Sequence, residues 1–265
     1  MEPISLGFQT DIALLRLGGS IVEEYSDHLV VRTPHNPTHW WGNFVLLGEV
    51  PPPERSQQWL DHFSDAFPAA DHVAMGFDGT DRAVEDLSWF ASRGYDAEAA
   101  AVMTATEIHE PSTLNREARY RQLRSDEDWM QSVDLRTRCN ERPLGDVAYR
   151  MHLMAKATTN RQIVEAGCGA WFGAFLDDRL VAQMGLVKAT AGVARFQTVE
   201  TDPAWRRRGL AGSLIHRAAT YGLTDLGAHT LVIVADPSYF ALDLYRSVGF
   251  VVAETQLQIE RPPSR

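Results

Sequence analysis

Cysteine is scarce in this sequence of 265 residues, which has only Cys139 and Cys168. The two lie far apart in no metal-ligand pattern, so we expect free thiols and no zinc or iron–sulfur site. The opening residues lack the basic segment and apolar stretch of a secretion signal. No run approaches the ~18 apolar residues of a membrane-spanning helix. These absences predict a cytoplasmic protein and argue against disulfide-rich and membrane-spanning classes.

Several nucleotide-binding and catalytic signatures are also missing. The basic glycine segment that begins at Arg206 does not end in Lys-Ser/Thr, as a nucleoside triphosphate loop would, and it contains no Gly-x-Gly-x-x-Gly. Gly167-x-Gly169 comes before a predicted strand, which is the wrong order for a dinucleotide fold. No Gly-x-Ser-x-Gly elbow is present, so we do not expect a serine hydrolase.

The charges are unbalanced, with 35 acidic and 25 basic residues and a net charge of −10. Nucleic acid should repel such a chain, whereas a cationic acceptor should be attracted. Hydrophobic residues make up 45% of the sequence, enough for a core without disulfides or metal. The length suits two ordinary domains or one large one. Against this acidic background, the consecutive bases Arg206, Arg207 and Arg208 stand out.

These arginines lead from an extended run, Phe196–Thr201, into a glycine turn, Gly209–Gly212. A glycine turn that opens a helix leaves several backbone N–H groups without partners, and the helix dipole adds positive potential there. The flanking arginines can add charge-assisted hydrogen bonds to an anion. The segment therefore predicts a phosphate-binding site. Because the ATP and NAD signatures are absent, we expect a different pyrophosphate.

The second half of the chain has the pattern of an α/β domain. Ser125, followed by three acids, predicts a helix start, and helical stretches run to about Glu165. Apolar residues recur at helical spacing from Leu210 to Leu226. The uninterrupted apolar run Leu231–Ala235 predicts a parallel strand buried on both faces. The other predicted strands are Arg119–Arg124, Ala170–Leu176, Leu180–Val187 and Ala194–Thr201, with a hairpin turn at Asp177–Arg179.

The first half contains a weaker version of the same pattern. A strand and helix segment at residues 72–95 resembles the one at residues 231–250, and Asn43–Leu47 stands where the strand before the glycine turn should be. Three prolines and Glu54 follow that strand, with no Arg-x-x-Gly-x-Ala. We interpret the first half as a degenerate copy of the second, the alternative being an unrelated α/β extension. The join is expected between residues 108 and 116.

Two segments resemble those of a known family. Arg206-x-x-Gly209-x-Ala211 is similar to the Gln/Arg-x-x-Gly-x-Gly/Ala signature of the GCN5-related N-acetyltransferase (GNAT) superfamily, which grips the pyrophosphate of acetyl-coenzyme A. Leu244–Phe250 resembles the family's closing Leu-Tyr-x-x-x-Gly-Phe, in the customary order and at the customary separation. The resemblance covers roughly the last 150 residues, about one domain. It implies an α/β GNAT fold with a mixed sheet, divided into a degenerate domain at 1–112 and an acetyl-coenzyme A-binding domain at 113–265.

The resemblance also implies an activity and a set of site residues. Acetyl-coenzyme A would be the co-substrate without any metal, and an amine of a small molecule or peptide would attack the thioester directly. Tyr245 matches the family tyrosine that protonates the departing thiolate, and a phenol with its ordinary pKa of about 10 is a reasonable donor. Gly209 and Ala211 would be small so that the phosphates can approach the backbone. The implied cofactor-binding residues are Val199, Glu200 and Thr201 for the pantetheine arm, and Arg206, Arg207, Arg208, Gly209, Leu210, Ala211 and Gly212 for the pyrophosphate.

Two positions depart from the family pattern. Ser238 stands where many members carry an asparagine that touches the cofactor. Arg195 stands where histone-modifying members carry a general-base glutamate, and although Glu200 is nearby, we assign no base. Two alternatives stay open: a non-catalytic acyl-coenzyme A-binding protein, and a tandem-domain transferase of aminoacyl or thiol-cofactor type in which both copies form one cleft.

Overall fold

A computed structural model describes residues 1–140, 146–238 and 241–262. The chain forms two compact units, each of which is described by itself. Unit 1 comprises Met1–Val102, Val234–Ser238 and Val252–Arg265, and unit 2 comprises Met103–Ile233 and Tyr239–Val251. The last strand of the chain therefore groups with the first hundred residues. The division at residues 112 and 113 stays a prediction.

Helices and strands are interspersed along the described residues, which confirms the predicted α/β class. The helices are α1 (Leu6–Leu17), α2 (Pro53–Ala66), α3 (Ser88–Ala91), α4 (Asp126–Cys139), α5 (Val147–Glu165), α6 (Leu210–Thr224) and α7 (Ala241–Ser247). The strands are β1 (Ile21–Glu24), β2 (His28–Arg32), β3 (Phe44–Leu47), β4 (Val73–Phe77), β5 (Asp96–Ala105), β6 (Arg119–Gln122), β7 (Gly169–Leu176), β8 (Arg179–Thr190), β9 (Val193–Thr201), β10 (Thr230–Ala235) and β11 (Val251–Arg261). None of these helices is long and apolar enough to cross a membrane.

The sheet of unit 1 has the strand order β1-β2-β3-β4-β11-β5. Strand β3 is antiparallel to β2 and parallel to β4, and β4 is antiparallel to β11. Alternate residues of β3 face opposite sides of the sheet: Val45 packs in a cluster with Phe63 of α2, and Phe44 in another with Phe8 of α1. The parallel pair stays closed to its end, since Leu47 still pairs with Phe77.

The sheet of unit 2 has the order β10-β9-β8-β7-β6, with an antiparallel meander from β6 to β9. Strand β10 is parallel to β9, as its apolar run predicted. Asp177 and Asp178 both have positive φ, the conformation of a type I′ hairpin turn, which confirms the predicted turn. Helix α4 starts where predicted, because Ser125 accepts a hydrogen bond from the Asp128 N–H in a reciprocal capping box.

Candidate functional site

Strand β9 contains a β-bulge near its end. On the facing strand β8, Gln183 pairs with Glu200 and Gly185 pairs with Gln197, so three steps along β9 oppose two along β8. Thr198 has a φ of 53°, in the left-handed region that a β-branched residue rarely adopts. A bulge of this kind bends the strand and disrupts its ladder locally. The bend falls directly before residues 199–201, which were predicted to bind the pantetheine arm.

The parallel ladder between β9 and β10 is short. Among the described residues it comprises three pairs and ends with Val232 opposite Arg195. Strand β9 nevertheless continues to Thr201, paired on its other side with β8 through Gln183 and Ala182. Backbone N–H and C=O groups on the β10 side of this last part of β9 are therefore not used in that ladder. An amide-containing ligand can hydrogen-bond to such an edge.

The glycine turn after β9 has the left-handed conformations that bring the chain sharply into α6. Arg207 has a φ of 59°, and Gly209 is the N-cap of α6 with a φ of 73°. Glycine has no side chain, so Gly209 cannot accept a hydrogen bond from the N–H groups of the first turn, at residues 210–212, as a capping side chain would. The three arginines are exposed. Three exposed arginines thus precede a helix start that lacks a capping side chain.

The structure gives Gly209 a different reason for lacking a side chain. A Cβ there would lie 2.7 Å from the Thr113 carbonyl oxygen and 3.2 Å from the Asn115 nitrogen. We expected smallness to let phosphates approach, but the backbone of residues 113–115 already excludes a methyl group. The positive φ adds its own requirement for glycine. A Gly209 variant would therefore disturb the fold as well as any anion site.

Helix α7 packs against the first turn of α6. A Cβ on Gly212 would lie 3.3 Å from Leu244 Cδ1, so the residue before Tyr245 reaches this turn. Tyr245 is only 5% exposed, and its ring lies 6.4 Å from that of Phe250. Phe250 in turn lies edge-on to Phe196 of β9, at 5.8 Å. Unit 2 thus brings together both motif segments and the strand that precedes the glycine turn.

The Glu200 side chain is held in a polar network beneath α4. Its carboxylate accepts a hydrogen bond from Gln183 Nε2 at 2.9 Å and forms an ion pair with Arg136 at 3.2 Å. Ser132 Oγ donates to the other side of the Gln183 amide at 2.5 Å. The Glu200 side chain is thus engaged by Gln183 and Arg136, and we assign no general base.

Cys139 lies close to this network but supplies no nucleophile. Burial, reinforced by the charge of Glu200, raises the pKa of the Cys139 thiol to about 12. The thiol is thus protonated at neutral pH, and thiolate is the reactive and metal-binding form. Within the described parts of the chain, no group of three or more His, Cys, Asp or Glu side chains could hold a metal ion.

Ser238 lies in the segment that follows β10. Its N–H and Oγ both donate to Asp236 Oδ1, at 2.7 and 2.6 Å. This arrangement lowers the pKa of Asp236 through the hydrogen bonds from the Ser238 side chain and backbone. Residues 234–238 group with unit 1, so a role for Ser238 at the cofactor stays a prediction.

Sequence reasoning did not predict that residues 111–115, within the expected join between the two halves, contact this site. Asn115 Nδ2 donates to the Arg208 carbonyl at 2.9 Å, and the Asn115 N–H donates to Ser213 Oγ at 2.9 Å. Pro111 lies 3.3 Å from the position of a Gly212 Cβ. Prolines and polar residues are ordinary in linkers, and nothing in their pattern marks contact with a turn about 95 residues later.

Comparison with known proteins agrees with this geometry. Residues 129–250 match the family described as "Acetyltransferase (GNAT) family". No curated protein has a significantly similar sequence. Similar solved structures extend over nearly the whole chain, and at identities this low they show the fold alone.

Three of these structures illustrate the likeness. A GCN5-related N-acetyltransferase from Kribbella flavida has a TM-score of 0.66 at 15% identity, with 98% of each chain covered. A functionally unknown conserved protein from Staphylococcus epidermidis has a TM-score of 0.67 at 15% identity, with 91% of this chain and 93% of that chain covered. A tandem GNAT protein from the clavulanic acid biosynthesis pathway has a TM-score of 0.55 at 11% identity, with coverage of 99% and 98%.

Proposed function

Since residues 129–250 of this chain form a domain of the GNAT acetyltransferase family, we propose that the protein moves an acetyl group from acetyl-coenzyme A to an amine. Membership of the family implies acyl transfer from an acyl-coenzyme A. The observation that carries the finer proposal is one juxtaposition within unit 2. A basic glycine turn opens α6 directly after the bulged end of β9, and Leu244, next to Tyr245, packs on the same turn.

The residues around the turn suit the two ends of the cofactor. The N–H groups of residues 210–212, the α6 dipole and three exposed arginines would bind the pyrophosphate. In a protein with a net charge of −10, such a cluster of positive charge is chemically distinctive. The pantetheine amides would hydrogen-bond to the backbone of Val199, Glu200 and Thr201, along the edge that β10 leaves open. Leu210 lies buried beneath the turn, so it contributes its N–H group only.

We assign only one side chain, that of Tyr245, a role in the acyl-transfer step. The thioester supplies an acyl group that an amine can attack: the amine nitrogen bonds to the carbonyl carbon, and the carbon–sulfur bond breaks. The Tyr245 hydroxyl is proposed to give its proton to the departing sulfur. The amine nitrogen must lose one proton, and with Glu200 paired to Arg136, we assign this proton to water, from which the Tyr245 phenolate regains the proton that it gave to sulfur. An acceptor that arrives as a neutral amine needs no protein base.

A screen for acceptors tests the proposal. Wild-type protein would be incubated with acetyl-coenzyme A and a panel of amines, amino acids and aminoglycoside antibiotics, and the free coenzyme A thiol would be measured. We expect at least one compound to accelerate thiol release and to gain the mass of one acetyl group. Slow release that no acceptor accelerates, and that Tyr245→Phe leaves unchanged, would instead favour a non-catalytic acyl-coenzyme A-binding protein.

A further inference from the structure

Residues 107–115, here called the strap, lie against both motif segments of unit 2. At one end the strap contacts the close of α7. The His109 N–H donates to the Val248 carbonyl at 3.0 Å, and a Cβ on Gly249 would lie 3.0 Å from the Glu107 carbonyl oxygen. The strap backbone thus passes too close to Gly249, the glycine of the closing motif, to leave room for a side chain there.

The other end of the strap contacts the glycine turn in the same manner. The Thr113 carbonyl oxygen lies 2.7 Å from the position of a Gly209 Cβ. Asn115 then makes two hydrogen bonds to this region, from its N–H to Ser213 Oγ and from Nδ2 to the Arg208 carbonyl. One short segment therefore touches the start of α6 and the end of α7.

The Asn115 side chain is itself fixed. Its Oδ1 accepts hydrogen bonds from the Glu117 and Ala118 N–H groups, at 3.1 and 2.9 Å. These two bonds settle which side of the amide carries the oxygen, and they direct Nδ2 toward Arg208. Neither bond involves the glycine turn, so the orientation of the Asn115 amide does not depend on the turn.

The bond to Arg208 orients one peptide group of the turn. In a trans peptide the C=O and the following N–H point in opposite directions within one plane. Because the Arg208 C=O points toward Asn115, the Gly209 N–H points away from the strap. On one side of Arg208, Gly209 has a φ of 73°, which glycine adopts readily. On the other side, Arg207 has a φ of 59°, which other residues rarely adopt and which an external hydrogen bond nearby can help to hold.

We propose that Asn115 is a positioning residue for the pyrophosphate, acting through the Arg208–Gly209 peptide group. The proposal rests on the proposed function, since it assumes that the turn binds coenzyme A. It adds that a residue outside both family motifs sets the affinity of the turn. Asn115 itself need not touch the cofactor.

The test uses the full chain with Asn115→Ala, Asn115→Asp and the control Asn160→Ala. Asn160 lies on α5 and makes no side-chain hydrogen bond within the described residues. Isothermal titration with coenzyme A measures affinity. Thiol release from acetyl-coenzyme A and from S-acetylpantetheine, which lacks the pyrophosphate, separates the turn from the rest of the cleft.

For Asn115→Ala, we expect the Kd for coenzyme A to rise about tenfold, with turnover of S-acetylpantetheine unchanged. Asn115→Asp should behave in the same way, because a carboxylate can accept from Glu117 and Ala118 but cannot donate to Arg208. Asn160→Ala should match the wild type. If Asp restored affinity, or if both thioesters were affected equally, Asn115 would have only a structural role. Wild-type protein that fails to bind coenzyme A would instead overturn the proposed function.

Discussion

The contact between the strap and Gly209 can be tested by comparing the stabilities of two glycine-to-alanine variants. Gly167 and Gly209 have nearly the same φ, 74° and 73°, but a Cβ on Gly167 would meet no atom within 4 Å. Gly167→Ala should therefore lose only the cost of a left-handed alanine, about 1–2 kcal/mol. Gly209→Ala should lose this and also displace the Thr113 carbonyl, which stands 2.7 Å from the new atom.

The extra loss follows from what must move. A displacement of residues 113–115 breaks the hydrogen bond from Asn115 to the Arg208 carbonyl, with a net contribution of about 1 kcal/mol. Gly209→Ala should therefore cost about 2–3 kcal/mol in the free energy of unfolding, which is about 1 kcal/mol more than Gly167→Ala.

Urea unfolding of both full-length variants, followed by tryptophan fluorescence, gives the comparison without any ligand. Equal losses in the two variants would refute the contact and restore phosphate access as the reason for glycine at position 209. The comparison also shows why loss of cofactor binding in a Gly209 variant is not by itself evidence for a phosphate site.

Two further predictions concern Tyr245, the proposed proton donor, and the first helix of unit 2. Tyr245→Phe should lower kcat by about 10²- to 10⁴-fold at saturating acetyl-coenzyme A, with the cofactor Kd little changed, and unaltered single-turnover rates would remove the hydroxyl from the mechanism. Asp128→Asn should lower the free energy of unfolding at pH 7 by about 2 kcal/mol, since the Asp128 carboxylate binds the Arg121 guanidinium through two 2.7 Å hydrogen bonds. Hydrogen bonds from Arg121, and then from the Arg124 and Ser125 N–H groups, lower the pKa of Asp128 in the folded protein. The stabilisation is therefore complete above the unfolded pKa of about 3.9 and is lost as the pH falls below that value toward the folded pKa. A wild-type–variant difference that is independent of pH between 7 and 3 would contradict this assignment.

Local patterns in the sequence identified most elements of unit 2. The Ser125 cap, the Asp177–Asp178 turn and the apolar run of β10 depend on neighbouring residues, so they can be predicted without knowledge of the fold. The glycine turn was likewise placed correctly at the start of α6, because positive φ and the change from strand to helix are local properties.

The features that sequence reasoning missed depend on distant contacts. Thr198 is not a residue type that favours positive φ, so only the register between β8 and β9 shows the bulge. The partners of Glu200 come from α4 and β8. Strand β11 pairs with β4, with Leu257 opposite Phe77, across about 180 residues of chain. Side-chain alternation predicts that a segment is a strand, but it does not say which other strand that segment pairs with.

The central claim is that the glycine turn and the end of β9 in unit 2 bind one cofactor, and that β3 and α2 of unit 1 form no second site. In unit 1 the parallel pair of β3 and β4 remains closed to Leu47 and Phe77. The helix that follows β3 begins at Pro53, which has no N–H, and it carries Glu54 in its first turn. These groups offer few hydrogen-bond donors to a pyrophosphate and place a negative charge beside it.

Calorimetric titration of the intact chain with acetyl-coenzyme A tests this claim most directly. We expect saturation at one equivalent per chain, with affinity weakened in a variant that replaces Arg207 and Arg208 by glutamine. Glutamine at the solvent-exposed Arg55 of α2 serves as the control and should leave the titration unchanged. Two equivalents per chain, or one equivalent that survives loss of both arginines unweakened, would contradict it.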